Sequence, residues 1–245
     1  MDNEQKKHIV WHGDVVMKQF ISYAIGCMMG RCRLDRKGLA IAHPNPSDPE
    51  IAPYAYKGEL FRIDEDGIIP LMPKDSRFDD NAVLRLTDFI KLVYGAETLT
   101  ENLNFVEAQL GKSLEQYLIK DFWKDHKKMY QNRPIYWLFS SKKGAFQVIA
   151  YMHRMNKYTA ENIRNKYLLP HIDYLRQEIA GLDARITALT TQERKQYQKL
   201  NKDLEECMEY HDRLHTVADQ QIGFDLDDGV VVNYAKFGDV LAKIK

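Results

Sequence analysis

A chain of 245 residues, 44% hydrophobic and 29% charged, has the make-up of an ordinary soluble globular protein, long enough for one large domain or two small ones. No apolar run approaches the roughly 18 residues of a membrane span and no apolar secretory core opens the chain, so a cytoplasmic setting is expected. Three cysteines, Cys27, Cys32 and Cys207, are too few and too scattered for a disulfide framework, and no CxxC occurs.

The formal net charge is zero, but the charges are segregated. Residues 1–43 hold 7 Lys/Arg against 4 Asp/Glu, and residues 44–111 hold 6 against 13. Residues 112–157 hold 10 against 3, and residues 158–245 hold 12 against 15. A basic segment of this kind can bind polyanions even inside a neutral protein. The plainer alternative is a solvated lysine-rich helix face.

In chain order, residues 1–13 are polar and expected to fray. Residues 15–29 place apolar side chains at 16, 20, 23, 24, 27 and 28, the spacing of an amphipathic helix that Gly30 would close. A basic turn, Arg31-Cys-Arg-Leu-Asp-Arg-Lys-Gly38, follows, and Cys27 and Cys32 read as small core residues. Four prolines within residues 43–53 require a loop. Residues 60–72 read as short strands around Asp64-Glu-Asp-Gly67, which lacks calcium-loop spacing and is expected to be a solvated turn. Helices are predicted over residues 79–94, closed by Gly95, and 100–110, closed by Gly111. Ser113-Leu-Glu-Gln116 has the form of a capping box, opening a helix to about residue 130. That helix buries Leu114, Tyr117, Leu118 and Phe122 and displays Lys120, Lys124, Lys127 and Lys128.

Residues 132–152, NRPIYWLFSSKKGAFQVIAYM, form the element around which the chain is organised. Two aromatic and β-branched runs flank Ser140-Ser-Lys-Lys-Gly144, the pattern of a β-hairpin in which Gly144 supplies a positive φ. The runs are nearly unbroken, so both faces are expected to be covered. Lys142 and Lys143 sit at the tip. Arg133, held extended by Pro134, sits at the base.

Beyond the hairpin, Thr159 caps a helix through residue 169, and Pro170 kinks or restarts it. Ile172, Leu175, Ile179, Leu182, Ile186 and Leu189 then make an a/d seam. Thr190-Thr-Gln-Glu193 is a second capping box, and the return helix carries Tyr197, Leu200, Leu204, Cys207, His211, Leu214 and Ala218. This is an antiparallel helical hairpin with arms of roughly 40 Å, with His211 as a core or interface histidine. Residues 224–234 read as a turn at residues 227–229 followed by a β-branched strand that returns to the hairpin.

The expected fold is therefore α+β and mainly α. A helical body (residues 1–157) would carry a small antiparallel sheet made of the hairpin 135–152 and a strand near 229–234. The long helical hairpin (158–222) and a C-terminal return (223–245) complete it. GxSxG, HExxH, P-loop, GxGxxG and paired Cys/His metal spacings are all missing, so no catalytic or metal-binding residue is assigned. An Asn/Asp-Pro-Pro-Tyr/Phe loop is missing too, since His43-Pro-Asn-Pro-Ser47 does not match it. An independent nuclease lacks any metal-binding carboxylate pattern to support it.

Four stretches nevertheless form a recognisable set. They are FISYAIGCMMGRCRLDRKGL (20–39), LGKSLEQYLIKDFWKDHKKMYQNRPIYWLFSSKKGAF (110–146), YMHR (151–154) and LDDGVVVNYAKFGDVL (226–241). In this order they resemble the C-terminal part of the PglX proteins, the large adenine-specific DNA methyltransferases of type 1 BREX phage-defence systems. The resemblance implies a region after or within target recognition, with the cofactor motif and the Asn-Pro-Pro-Tyr loop far upstream. S-adenosylmethionine would thus serve the full-length enzyme without binding here. Double-stranded DNA, the N-terminal methyltransferase domain and other phage-defence subunits are the implied partners. On this reading Lys124, Lys127, Lys128, Lys142 and Lys143 meet phosphates, while Arg133 is either a structural arginine or a base-edge reader. The alternative is a protein-interaction module that docks through the helical hairpin without touching DNA. A contiguous concave basic surface would favour DNA, and an exposed apolar stripe on the helical hairpin would favour protein.

Overall fold

The hairpin does form, and it lies at the centre of the computed structural model, which describes residues 11–223 and 225–244. In chain order, helix α1 (Gly13–Met28) leads by a loop to the short α2 (Asp48–Ile51), then to strands β1 (Tyr54–Tyr56), β2 (Glu59–Phe61) and β3 (Ile68–Pro70). Helices α3 (Ala82–Tyr94), α4 (Leu99–Leu110), α5 (Leu114–Lys120) and α6 (Phe122–Met129) precede β4 (Tyr136–Ser140) and β5 (Gln147–Tyr151). The chain continues through α7 (Thr159–Asn162), a π-helical stretch (Ile163–Leu168), α8 (Leu169–Asp183), α9 (Thr191–Asp219) and α10 (Val230–Ala235). The class is the expected mainly helical α+β with small antiparallel sheets. Of residues 1–13, expected to fray, 1–10 lie outside the described residues and Gly13 already opens α1; Phe224, in the expected C-terminal turn and strand, is also outside them.

β4 and β5 pair from Tyr136↔Tyr151 to Ser140↔Gln147, closed by a loop in which Gly144 has φ 83°. The third strand of this sheet is β3, giving the order β3-β5-β4. Pro70 is tolerated in β3 because an edge strand can spare an N–H.

The stretch near 229–234, expected as a strand, is instead helical over Val230–Ala235. The reason is visible at Trp137, whose ring is held by Tyr234 at 5.0 Å and Phe237 at 5.6 Å, both edge-on. The turn after α10 keeps helical backbone through Phe237, whose amide donates to the Tyr234 carbonyl at 3.2 Å, so the i, i+3 spacing brings both rings to one side, whereas a strand would send them to opposite faces. Burying Trp137, Tyr234 and Phe237 outweighs the modest helix penalty of the valine run, and Val231 and Val232 are left 52% and 54% exposed. The chain does return to the free edge of β4, but later. Leu241 bridges Phe139, and the Ala242 amide donates to the Leu138 carbonyl at 2.9 Å.

The predicted helix over residues 113–130 is two helices with a corner at Asp121, whose φ of −124° leaves the helical region. Ser113 caps α5 by accepting from the Gln116 amide at 3.2 Å, and the carboxylate of Glu107, rather than Gln116, completes the cap on the Leu114 amide. The π-helical stretch falls directly before Pro170, which has no N–H to continue an α-ladder there.

The acidic turn at residues 64–67 is not simply solvated. Asp64 is buried, and its Oδ1 accepts the amides of Asp66, Gly67 and Ile68. Burial and the neighbouring Asp66 push its pKa above the usual carboxylate range, against the pull of Arg85 at 3.6 Å. Arg154, also buried, donates to the carbonyls of Met29, Asp64 and Glu65, tying this turn to the end of α1.

In the helical hairpin, Ile172, Leu175, Ile179, Leu182 and Leu189 are buried as the seam requires, while Ile186 is 47% exposed. On α9 the buried partner is Tyr210 rather than His211; the half-buried His211 accepts from Arg164 Nε at 3.1 Å. Cys207, Tyr210 and Leu214 join the same apolar cluster as the sheet.

Candidate nucleic-acid interface

The basic face of α6 is set by what its other face buries. Phe122, Trp123 and His126 point inward. Trp123 Nε1 donates to the Tyr136 carbonyl at 3.0 Å. His126 Nε2 accepts the amides of both Ile135 and Tyr136 at 3.2 Å, so this nitrogen carries no proton. Nδ1 then bears the hydrogen, 3.5 Å from Ser22 Oγ on α1. Burial, with the Arg31 charge adding to it, pushes the His126 pKa down to about 3. One neutral imidazole thereby clamps α6, β4 and α1 together, and Lys124 and Lys128 are directed outward.

The basic residues of this segment differ in how far they are engaged. Lys112 is paired with Asp121 at 2.7 Å, and Lys124 lies 3.8 Å from the same carboxylate. Lys127 Nζ sits 5.2 Å from the centre of the Trp123 ring and donates to the Lys243 carbonyl at 3.5 Å. Arg154 is spent inside the fold. Lys128 and Arg133 are exposed and make no side-chain hydrogen bond or ion pair among the described residues. Arg133 follows two residues with positive φ, Gln131 (52°) and Asn132 (61°), in the turn leaving α6.

At the tip, Lys142 and Lys143 are both exposed. The loop beneath them rests on α9, where Glu206 Oε1 accepts the amides of Lys143 at 2.6 Å and Ala145 at 3.3 Å. Burial would raise the Glu206 pKa, but hydrogen bonds from Ser141 and these two amides hold it below the usual carboxylate range. His171 on α8 lies 3.0 Å from the Ala145 carbonyl, a second brace. The α6 cations and the tip cations therefore stand at opposite ends of β4, whose five residues span roughly 17 Å.

Among the described residues no three His, Cys, Asp or Glu side chains gather as metal ligands, and no helix is long and apolar enough to cross a membrane. Residues 43–47, the nearest approach to a methyltransferase Pro-rich loop, fold onto themselves. His43 lies 2.9 Å from Glu50, and Ser47 caps α2 through the same carboxylate.

The chain matches one region of the PglX-type adenine-specific methyltransferases. It is 42% identical over 254 aligned residues to the adenine-specific methyltransferase BrxX of Escherichia coli O9:H4 (strain HS), covering 96% of this chain and 21% of that protein. It is 37% identical over 235 residues to the adenine-specific methyltransferase PglX of Lacticaseibacillus casei (strain Zhang), covering 90% and 19%. The chain thus spans about a fifth of the length of the relatives it matches. No family model matches it. The resemblance to PglX and the match agree, and the region they share includes both the α6 clamp and the hairpin.

Sequence reasoning missed His126 as the clamp, although it shares the 3- and 4-residue spacing of Phe122 and Trp123. It also missed Lys243, which reaches α6 only because residues 241–242 pair with β4.

Proposed function

We propose that this chain is the DNA-contacting, specificity-side module of a PglX-type, site-specific adenine N6-methyltransferase of phage defence. It holds the duplex while a methyltransferase domain elsewhere in the longer enzyme, with its S-adenosylmethionine, flips and modifies the base. Lys124, Lys127, Lys128, Lys142 and Lys143 take phosphates, and Arg133 approaches a base edge. The observation that carries this reading is the set of exposed cations Lys128, Arg133 and Lys142, which have no ion-pair partner among the described residues within the most basic segment of a neutral protein. Docking through the helical hairpin has less to support it, because the seam residues Leu175, Leu182 and Leu214 turn inward.

Anisotropy titrations of duplex DNA across a salt series test the reading. Each phosphate neutralised contributes about −0.9 to the slope of log K against log salt. K142A/K143A is expected to flatten that slope by up to about 2, equally for unrelated sequences. An unchanged slope would remove the hairpin tip from the interface.

A further inference from the structure

The loop that leaves α1 is the most basic stretch of the chain to which neither the clamp nor the hairpin gives a task. Residues 31–38 hold Arg31, Arg33, Arg36 and Lys37 against Asp35 alone. The loop is closed at its neck, where the Ala40 amide donates to the Arg31 carbonyl at 2.8 Å and the Ile41 amide to Gly30 at 3.0 Å. Inside it, Arg33 grips Asp35 through two nitrogens at 2.8 and 2.7 Å and lies 3.8 Å over the Tyr54 ring. The Tyr54 hydroxyl accepts the Leu34 amide at 3.0 Å. These contacts fix the loop and neutralise Asp35. Arg36 and Lys37 remain exposed, with no hydrogen bond or ion pair among the described residues, and Leu39 beside them is 60% exposed.

Packing places the neck of this loop near the α6 turn. Ser22 and Gly26 of α1 lie against His126 and Tyr136. The Tyr136 hydroxyl donates to the Ser22 carbonyl at 3.2 Å, and a Cβ at Gly26 would meet that hydroxyl at 2.8 Å. His126 in turn stacks on Tyr136 at 4.3 Å and lies 4.7 Å from Tyr130, the residue at which α6 ends. The neck of the loop therefore lies near the end of α6, where the Arg31 charge acts on Tyr130.

We propose that residues 31–39 form a second duplex-DNA contact, in which Arg36 and Lys37 take backbone phosphates and Leu39 packs against the sugars. This rests on the DNA-contacting reading above and adds the loop after α1 to the surfaces that meet the duplex. A preformed loop loses little conformational freedom on binding, so its two unpaired cations are available to displace counterions.

The test uses the 245-residue chain. R36A/K37A is expected to keep the parent melting temperature and to flatten the salt slope for duplex DNA by up to about 2. Mass-spectrometric acetylation footprinting is expected to show Lys37 protected by duplex DNA in the parent chain. If the parent chain binds with a clear salt slope while R36A/K37A leaves it unchanged and Lys37 stays reactive, the loop is not at the interface and the wider reading stands. If the parent chain shows no salt-dependent binding at all, the DNA reading itself fails, and this inference with it.

Discussion

The base of the β-hairpin and the far end of the helical hairpin are stabilised in opposite ways. At the base, Tyr136, Trp137 and Phe139 are fully buried. His126 and Trp123 on the preceding α6 supply part of the cover, and the rest comes from sequence-distant partners: Ser22 on α1, and Tyr234 and Phe237 near the C-terminus. At the far end, between α8 and α9, the contacts are local. Thr190 and Glu193 cap each other reciprocally, Arg185 pairs with Glu193 at 2.6 Å, Tyr197 donates to Asp183 at 2.7 Å, and Ile186 stays exposed. One region is fixed by burial gathered from the whole chain. The other is fixed by hydrogen bonds within about fourteen residues.

Truncating Trp137 should break this contrast most forcefully. Trp137→Ala is expected to cost about 3–5 kcal/mol in denaturant unfolding, while Ile186→Ala at the far end changes stability by a few tenths. Equal costs would mean that the two ends are not stabilised differently.

Acid should sharpen the contrast next. His126 is held neutral, with a pKa near 3 against its ordinary 6.5. Between these values the unfolded state binds a proton that the folded state does not. This contribution is thus fully present above pH 6.5 and is lost as pH falls, by about 1.4 kcal/mol per pH unit. His126→Gln should remove that slope, so the stability curves of parent and variant converge on acidification. Parallel curves would show that the clamp is not the acid-sensitive element.

The smallest effect belongs to the far end. Thr190→Ala, which removes the cap, is expected to cost about 1 kcal/mol and to leave duplex binding unchanged. A loss of several kcal/mol would mean that this turn is coupled to the core.

These two regions also mark how much of the molecule was legible in its sequence. The capping box at residues 190–193, the a/d seam, the hairpin with Gly144 at its tip and the helix ends at Gly95 and Gly111 were all readable. Each is specified by residues within a turn or two of one another, where a side chain and the backbone it serves are close in the chain. The candidate site was legible as a list of cations. It was not legible as an arrangement.

Tertiary structure alone decided the rest. The valine run at residues 230–235 became a helix because Trp137, about a hundred residues earlier, needed both Tyr234 and Phe237 on one side. Residues 68–70 supplied the third strand because β5 had a free edge for them. His126 became a clamp because the amides of Ile135 and Tyr136, at the entry to β4, meet its ring, and α1 joined it there through Ser22. In every case a short segment's own preference amounts to a few tenths of a kcal/mol per residue, and burying one large aromatic side chain amounts to several times that. Sequence determined what each segment could become where its partners were near in the chain; packing chose the outcome where they were far apart.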